Sequence, residues 1–156
     1  MEQPATAAAT ASGPLGGPLP RPKPLPVPDG HSAPFWEAAR RHELALQRCR
    51  DCGAFQHPPG PVCRRCAAEA LHFVRVSGRG GIYSYTVTHH NFVPGFERDV
   101  PLAIALVAIE EQPDVRLLAN LREVDADRVE VGMRVEVVFE DLPDGTTLPQ
   151  FRPARA

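Results

Sequence analysis

The chain has 156 residues, enough for one modest domain or two small ones. Its 17 Lys and Arg nearly balance 19 Asp and Glu, for a net charge of −2, which argues against a protein whose main task is gripping phosphate backbones. No apolar run approaches the roughly 20 residues that span a bilayer, and no basic cluster followed by an apolar core opens the chain as in a secretory signal, so it is read as cytoplasmic with no membrane association.

Residues 1–33 read as a disordered Pro/Ala-rich tail. Met1 to Gly17 is mostly Ala, Thr, Gly and Pro, and Pro18, Pro20, Pro22, Pro24, Pro26 and Pro28 then alternate with other residues. Proline fixes φ and lacks an amide donor, so this stretch suits an extended polyproline II spacer, or a strap across a partner. Order is expected from Pro34. Residues 34–45 have helical character, with Ser32 as cap and Pro34 in the first turn. Phe35, Ala38, Ala39 and His42 share one face, with Trp36 at its edge. So short a helix is marginal alone and must dock, on its own domain or on a partner that Phe35 and Trp36 would contact.

Leu44 to Arg48 reads as a short strand, and Leu71 to Val76 alternates as a half-buried one. The run Ser77-Gly-Arg-Gly-Gly81 reads as a turn or bulge, or as an anion contact. Four further strands follow at Ile82 to His89, Leu102 to Glu110, Val115 to Val124 and Met133 to Glu140. A last short strand is expected at Leu148 to Arg152. Turn signals separate them at Asn91 to Gly95, Gln112 to Asp114, Asp125 to Asp127 and Pro143 to Gly145. About five antiparallel strands in so short a span suit a small closed barrel, and the OB-fold is the natural candidate. The fold class is thus mainly β. Its parts are a docking helix (34–45), a zinc ribbon (46–76) and a five-stranded OB-fold barrel (77–156).

The ribbon assignment rests on Cys49-Arg-Asp-Cys52 and Cys63-Arg-Arg-Cys66, two Cys-x-x-Cys pairs ten residues apart. Two intervening residues let a tight turn present both sulfurs to one ion, and four thiolates complete a tetrahedral zinc shell with no open position. The metal would therefore be structural. Disulfides, a redox pair or an iron–sulfur centre are the alternatives, and a reducing compartment disfavours disulfides. His57 lies between the pairs and is not needed as a ligand.

The sequence resembles the zinc-ribbon OB-fold proteins associated with acyl-CoA metabolism. Pro34-Phe-Trp-Glu-Ala-Ala39, Leu46-Gln-Arg-Cys-Arg-Asp-Cys-Gly53, Pro58-Pro-Gly-Pro-Val-Cys63, Val76-Ser-Gly-Arg-Gly-Gly-Ile-Tyr-Ser-Tyr-Thr-Val87, Gly132-Met-Arg-Val-Glu-Val-Val-Phe139 and Leu148-Pro-Gln-Phe-Arg-Pro153 carry the likeness, over about residues 34–153. It implies a docking helix, a rubredoxin-like ribbon and a C-terminal OB-fold. It also implies hetero-oligomers with thiolase-like enzymes, whether thiolases, aldolases or acyltransferases. Some relatives join MaoC-type hydratases, as in steroid side-chain degradation. The OB domain is implied to bind the CoA part of an acyl-CoA thioester, or to complete the partner's assembly.

The chain shows no nucleophile, base and oxyanion donor together, so no catalytic residue is assigned. His89 and His90 are neighbours on a strand and cannot face one pocket. Arg79, Tyr83 and Tyr85 are the candidate contacts to CoA. The role that the resemblance implies is that of an accessory acyl-CoA-binding, scaffolding subunit in steroid or lipid side-chain degradation. The alternative is a single-stranded nucleic-acid-binding module, with ribbon arginines as a basic patch and Tyr83 and Tyr85 stacking bases from one face.

Overall fold

The computed structural model describes residues 23–90, 95–96 and 99–155. The polyproline expectation for the tail and the turn at Asn91 to Gly95 fall largely outside these residues. From Lys23 the chain runs without regular structure to a turn at Gly30, and Lys23 pairs with Asp99 while its ammonium lies over the Phe96 ring.

Helix α1 spans Ala33–Arg40 and buries Phe35, Ala38 and Ala39, the face expected from the sequence. Its entry differs. Ser32 makes no side-chain cap bond. Instead the Asp29 carboxylate accepts the amides of His31 and Ser32, at 3.1 and 2.7 Å, while the Ser32 hydroxyl accepts the Asp29 amide at 2.9 Å. That is the reciprocal bonding of a capping box, moved one turn earlier. The exit is also earlier than expected. The His42 amide donates to Ala39 and the Glu43 amide to Ala38, the paired bonds of a Schellman turn, with His42 at φ 57° in the left-handed position. His42 therefore leaves the helical face, stacks flat on Phe139 and bonds the Asp141 carboxylate.

The ribbon is a three-stranded antiparallel sheet of β1 (Ala45–Cys49), β2 (Phe55–Gln56) and β3 (Leu71–Arg75), in the order β2-β1-β3. The barrel follows as β4 (Arg79–Thr88), β5 (Leu102–Ile109), β6 (Arg116–Asn120), a 3-10 turn at Ala126–Arg128, β7 (Arg134–Asp141) and β8 (Thr147–Pro153). The sheet order is β6-β5-β4-β7-β8, and a parallel bridge from Leu121 to Phe151 joins its two outer strands. The Arg122 amide adds a 2.7 Å bond to the Phe151 carbonyl. These contacts close the five strands into an OB-fold barrel.

Inside lie Ile82, Ala103, Ala105, Val107, Ile109, Leu117, Val135 and Phe151, the alternate positions of their strands. Phe35, Leu44 and Leu46 belong to the same cluster, so helix, ribbon and barrel share one core. The glycine run before the barrel is not the turn expected for it. Only Gly78, at φ 75°, takes a conformation that favours glycine. Gly80 is already in β4, where an added Cβ would meet the Ala108 carbonyl oxygen at 2.4 Å and Val107 Cγ1 at 2.7 Å. The strand crossing there needs a residue without a side chain.

Candidate metal centre

The two knuckles converge at one end of the ribbon. Cys49 ends β1, Cys52 follows in the turn, and Gly53 at φ 71° donates its amide to the Cys49 carbonyl. Cys63 and Cys66 lie in a turn closed by the Ala67 amide on the Cys63 carbonyl. The four Sγ atoms fall within 4.8 Å of one another, with Cys49–Cys66 at 3.7 Å and Cys52–Cys63 at 3.6 Å. A tetrahedral ion with Zn–S bonds of about 2.3 Å separates its sulfurs by about 3.8 Å, so the spacing fits zinc.

The donor chemistry fits as well. Amides of Cys66 and Arg65 aimed at the Cys63 sulfur lower its pKa to about 7. The Ala68 amide likewise favours the Cys66 thiolate, yet sulfur neighbours led by Cys52 push that thiol up to about 12. Four touching sulfurs cannot all ionise without a cation among them. A divalent metal removes that conflict.

A buried pair of amides shapes the second knuckle. Gln47 and Gln56 are 6% and 5% exposed. Gln47 donates to the Gly60 carbonyl and accepts from the Gly60 amide, and Gln56 bonds Gln47, the Val62 carbonyl and the Arg64 amide. The loop from Gly60 to Arg64 is thus fixed by side chains from β1 and β2. Sequence inspection missed both glutamines and also the two-residue strand β2, because neither has a periodic pattern.

His57 stays outside the sulfur cluster. Its ring sits 5.2 Å from that of Phe35, and burial, with the Arg64 charge nearby, lowers its pKa to about 4. It stands between two cavities. One, of about 550 Å³, separates ribbon from barrel and is lined by Phe55, Arg64, Arg65, Gln112 and Asp114 among others. The other, of about 270 Å³, is an apolar groove between α1, the Pro58-Pro59 loop and β6, lined by Phe35, Trp36, Leu117 and Leu118. Phe35 is only 7% exposed and chiefly serves the core, whereas Leu118 at the rim is 74% exposed.

Ribbon and barrel are tied by the loop after β5. Glu111 accepts the Ser77 amide. The Gln112 side chain accepts the Phe55 amide at 2.8 Å and donates to the Phe55 carbonyl at 3.3 Å.

The candidate CoA contacts lie on β4. Arg79 is exposed, and Tyr83 and Tyr85 are 51% and 39% exposed. They do not share one face. The pairing slips between Ile82 and Ser84, so Tyr83 is the extra residue of a bulge, while Tyr85 pairs with Ala105. The alternation on which a common stacking face depends is broken there. Tyr83 instead receives Arg116, whose guanidinium lies 3.5 Å from the ring centre. Arg116 pairs with Ala108, which pairs with Gly81, so only small residues separate the two strands in that row. None of the three candidates lines the two cavities above.

Comparison with known proteins agrees with this architecture. Residues 36–72 match the family model of the ChsH2 rubredoxin-like zinc ribbon domain, and residues 73–140 match that of the ChsH2 C-terminal OB-fold domain. The chain is 42% identical over 113 residues to a 3-oxo-4,17-pregnadiene-20-carboxyl-CoA hydratase alpha subunit of Mycobacterium tuberculosis, covering 72% of this chain. It spans only about a third (35%) of that subunit's length. It is 33% identical over 111 residues to a DUF35 domain-containing scaffold protein of Methanocaldococcus jannaschii, covering 67% of this chain and 76% of that one. Among solved structures it resembles a chain of an Ltp2-ChsH2(DUF35) aldolase, with a TM-score of 0.76 and 38% identity, over 84% of this chain and all of that one. Ribbon and barrel are thus matched in turn along residues 36–140, and the chain belongs to the ChsH2-type, or DUF35, family of zinc-ribbon OB-fold proteins.

Proposed function

We propose that this chain is an accessory subunit of a thiolase-like aldolase or acyltransferase that acts on a CoA thioester, in the breakdown of steroid or lipid side chains. The observation that carries this is the likeness to the Ltp2-ChsH2(DUF35) aldolase chain, which this protein covers along its whole length. The relative named as a hydratase subunit for a steroid carboxyl-CoA supports the substrate class, and a MaoC-type hydratase is a second proposed partner.

In this role Cys49, Cys52, Cys63 and Cys66 hold one structural zinc, which leaves no coordination position for substrate. The zinc fixes the ribbon, the ribbon fixes α1 against the barrel, and the partner supplies the reactive residues. Trp36 contributes to the docking surface directly, and Phe35 contributes by holding the helix on the core. Arg79 and Tyr83, with Arg116 over the Tyr83 ring, offer a cationic and aromatic surface to the phosphates and adenine of CoA, with Tyr85 at its margin.

The test is reconstitution with Ltp2. A complex should form, and aldol cleavage of a steroid CoA thioester should depend on this chain. Ltp2 that works fully without it, together with no complex on a sizing column, would refute the role.

A further inference from the structure

The leader before α1 is pinned at both ends and bonded nowhere between. Lys23 pairs with Asp99, and its ammonium lies 4.9 Å from the Phe96 ring centre. At the other end Asp29 is locked into the capping box that opens α1. From Pro24 to Pro28 no backbone group bonds any described residue. Pro26 and Pro28 line a cavity of about 100 Å³ together with Trp36 and Arg40, so the leader runs beside the indole.

Two features set the chemistry of what could cover it. The leader does not alternate as a strand does: Lys23 is half-buried, whereas Leu25 and Val27, at the same parity, are 44% and 90% exposed. Prolines at every second position fix φ and hold the segment extended, with both apolar side chains standing out. The hydrogen-bonding groups are also unbalanced. Pro24, Pro26 and Pro28 lack an N–H, so residues 24–28 present five carbonyls and only the two amides of Leu25 and Val27. A strand would bring donors and acceptors in equal number and leave most of these carbonyls unmatched. Tyr and Trp match them, because each offers a flat face to a proline ring and an O–H or N–H to a carbonyl.

We propose that Pro24–Pro28 is a preformed recognition ridge, and that its occupant is a groove of the partner enzyme lined by tyrosine and tryptophan side chains. The two pins remove part of the ordering cost that a loose proline segment would bear on binding. The ridge continues the surface of Trp36, so helix and leader meet one partner together. This proposal rests on the accessory-subunit role, because the partner meant is the enzyme.

The experiment uses the full chain, labelled at its Leu and Val methyl groups, and Ltp2. In the complex the Leu25 and Val27 methyl resonances should move upfield, because a methyl seated on an aromatic face feels its ring current. Val27→Asp should weaken binding at least tenfold, since it sets a carboxylate against apolar ring faces. That side chain is 90% exposed in the free chain, so the variant should fold unaltered. Val131→Asp adds the same charge at another exposed position, 66% accessible, and should leave the affinity unchanged. Lys23→Ala releases one pin and should weaken binding a few-fold. Methyl resonances that keep their free positions in a formed complex, or equal affinities for the two Asp variants, overturn the ridge and leave the accessory role standing. No complex at all overturns both.

Discussion

Gly80→Ala separates two roles for the glycine run that precedes the barrel. If the run is an anion contact, the methyl group should weaken ligand binding and leave stability nearly unchanged. The packing of β4 on β5 demands the opposite. The new Cβ would lie 2.4 Å from a backbone oxygen and 2.7 Å from a valine methyl, about 1 Å inside normal contact. The oxygen belongs to Ala108 within the ladder, so it cannot turn aside as a flexible side chain would. Overpacking of this kind costs about 3 kcal/mol, at the upper end of the usual range, because β4 and β5 must part. Loss of glycine's freedom in the unfolded chain returns about 0.7 kcal/mol. The net is about 2 kcal/mol. With a urea m-value of about 1.5 kcal/mol per M, the unfolding midpoint should fall by more than about 1 M, measured at fixed zinc. Gly81→Ala is the control, since its nearest neighbour is 3.9 Å away. Equal midpoints for the two variants would refute the packing argument.

Zinc removal should unfold β1–β3 first, because metal binding supplies about 10–16 kcal/mol in small zinc peptides; exchange-resolved mass spectrometry after chelation should show that segment losing protection before the barrel. The His57 ring titrates near 6.5 when unfolded and near 4 when folded, so the unfolded chain binds the extra proton between those values. Its contribution is complete above pH 6.5 and falls by up to about 3 kcal/mol as the pH drops towards 4, and a His57→Phe variant should lack that part of the slope in pH-dependent urea melts. Trp36→Ala should weaken the complex with Ltp2 about tenfold by isothermal calorimetry, whereas unchanged affinity would move the docking surface off the helix. Gln112→Ala should destabilise the chain by about 2 kcal/mol, through two lost bonds to Phe55, and should speed exchange at the Phe55 amide.

The strands were legible in the sequence because one barrel face alternates cleanly, as Val135 and Val137 do along β7. The metal site was legible because zinc imposes its own spacing on cysteine. Features set by contacts between distant segments were not. The bulge at Tyr83 breaks a period of two that the residues themselves obey, and only its pairing with β5 reveals it. The capping role of Asp29 was hidden behind Ser32, a better-placed residue by position alone. His42 looked helical because its spacing from Phe35 and Ala38 is right, yet the chain leaves the helix just before it. The turn at Gln112 was legible but its bond to Phe55 was not, since that partner is 57 residues away. Arg116 is set beside Tyr83 only by the register of β5 and β6, which no local pattern reveals.

The buried amides of Gln47 and Gln56 bear on how long the ribbon keeps its ion. They hold the Gly60 to Arg64 loop through neutral hydrogen bonds that do not involve sulfur. In the folded ribbon these bonds hold Cys63 beside the first knuckle, so they add to what the metal does for this segment. Release of the ion must work against them. Gln56→Ala should leave the sulfurs chemically intact and still hasten zinc loss to a chelator, so the lifetime of the loaded subunit is set partly by two residues that never touch the metal.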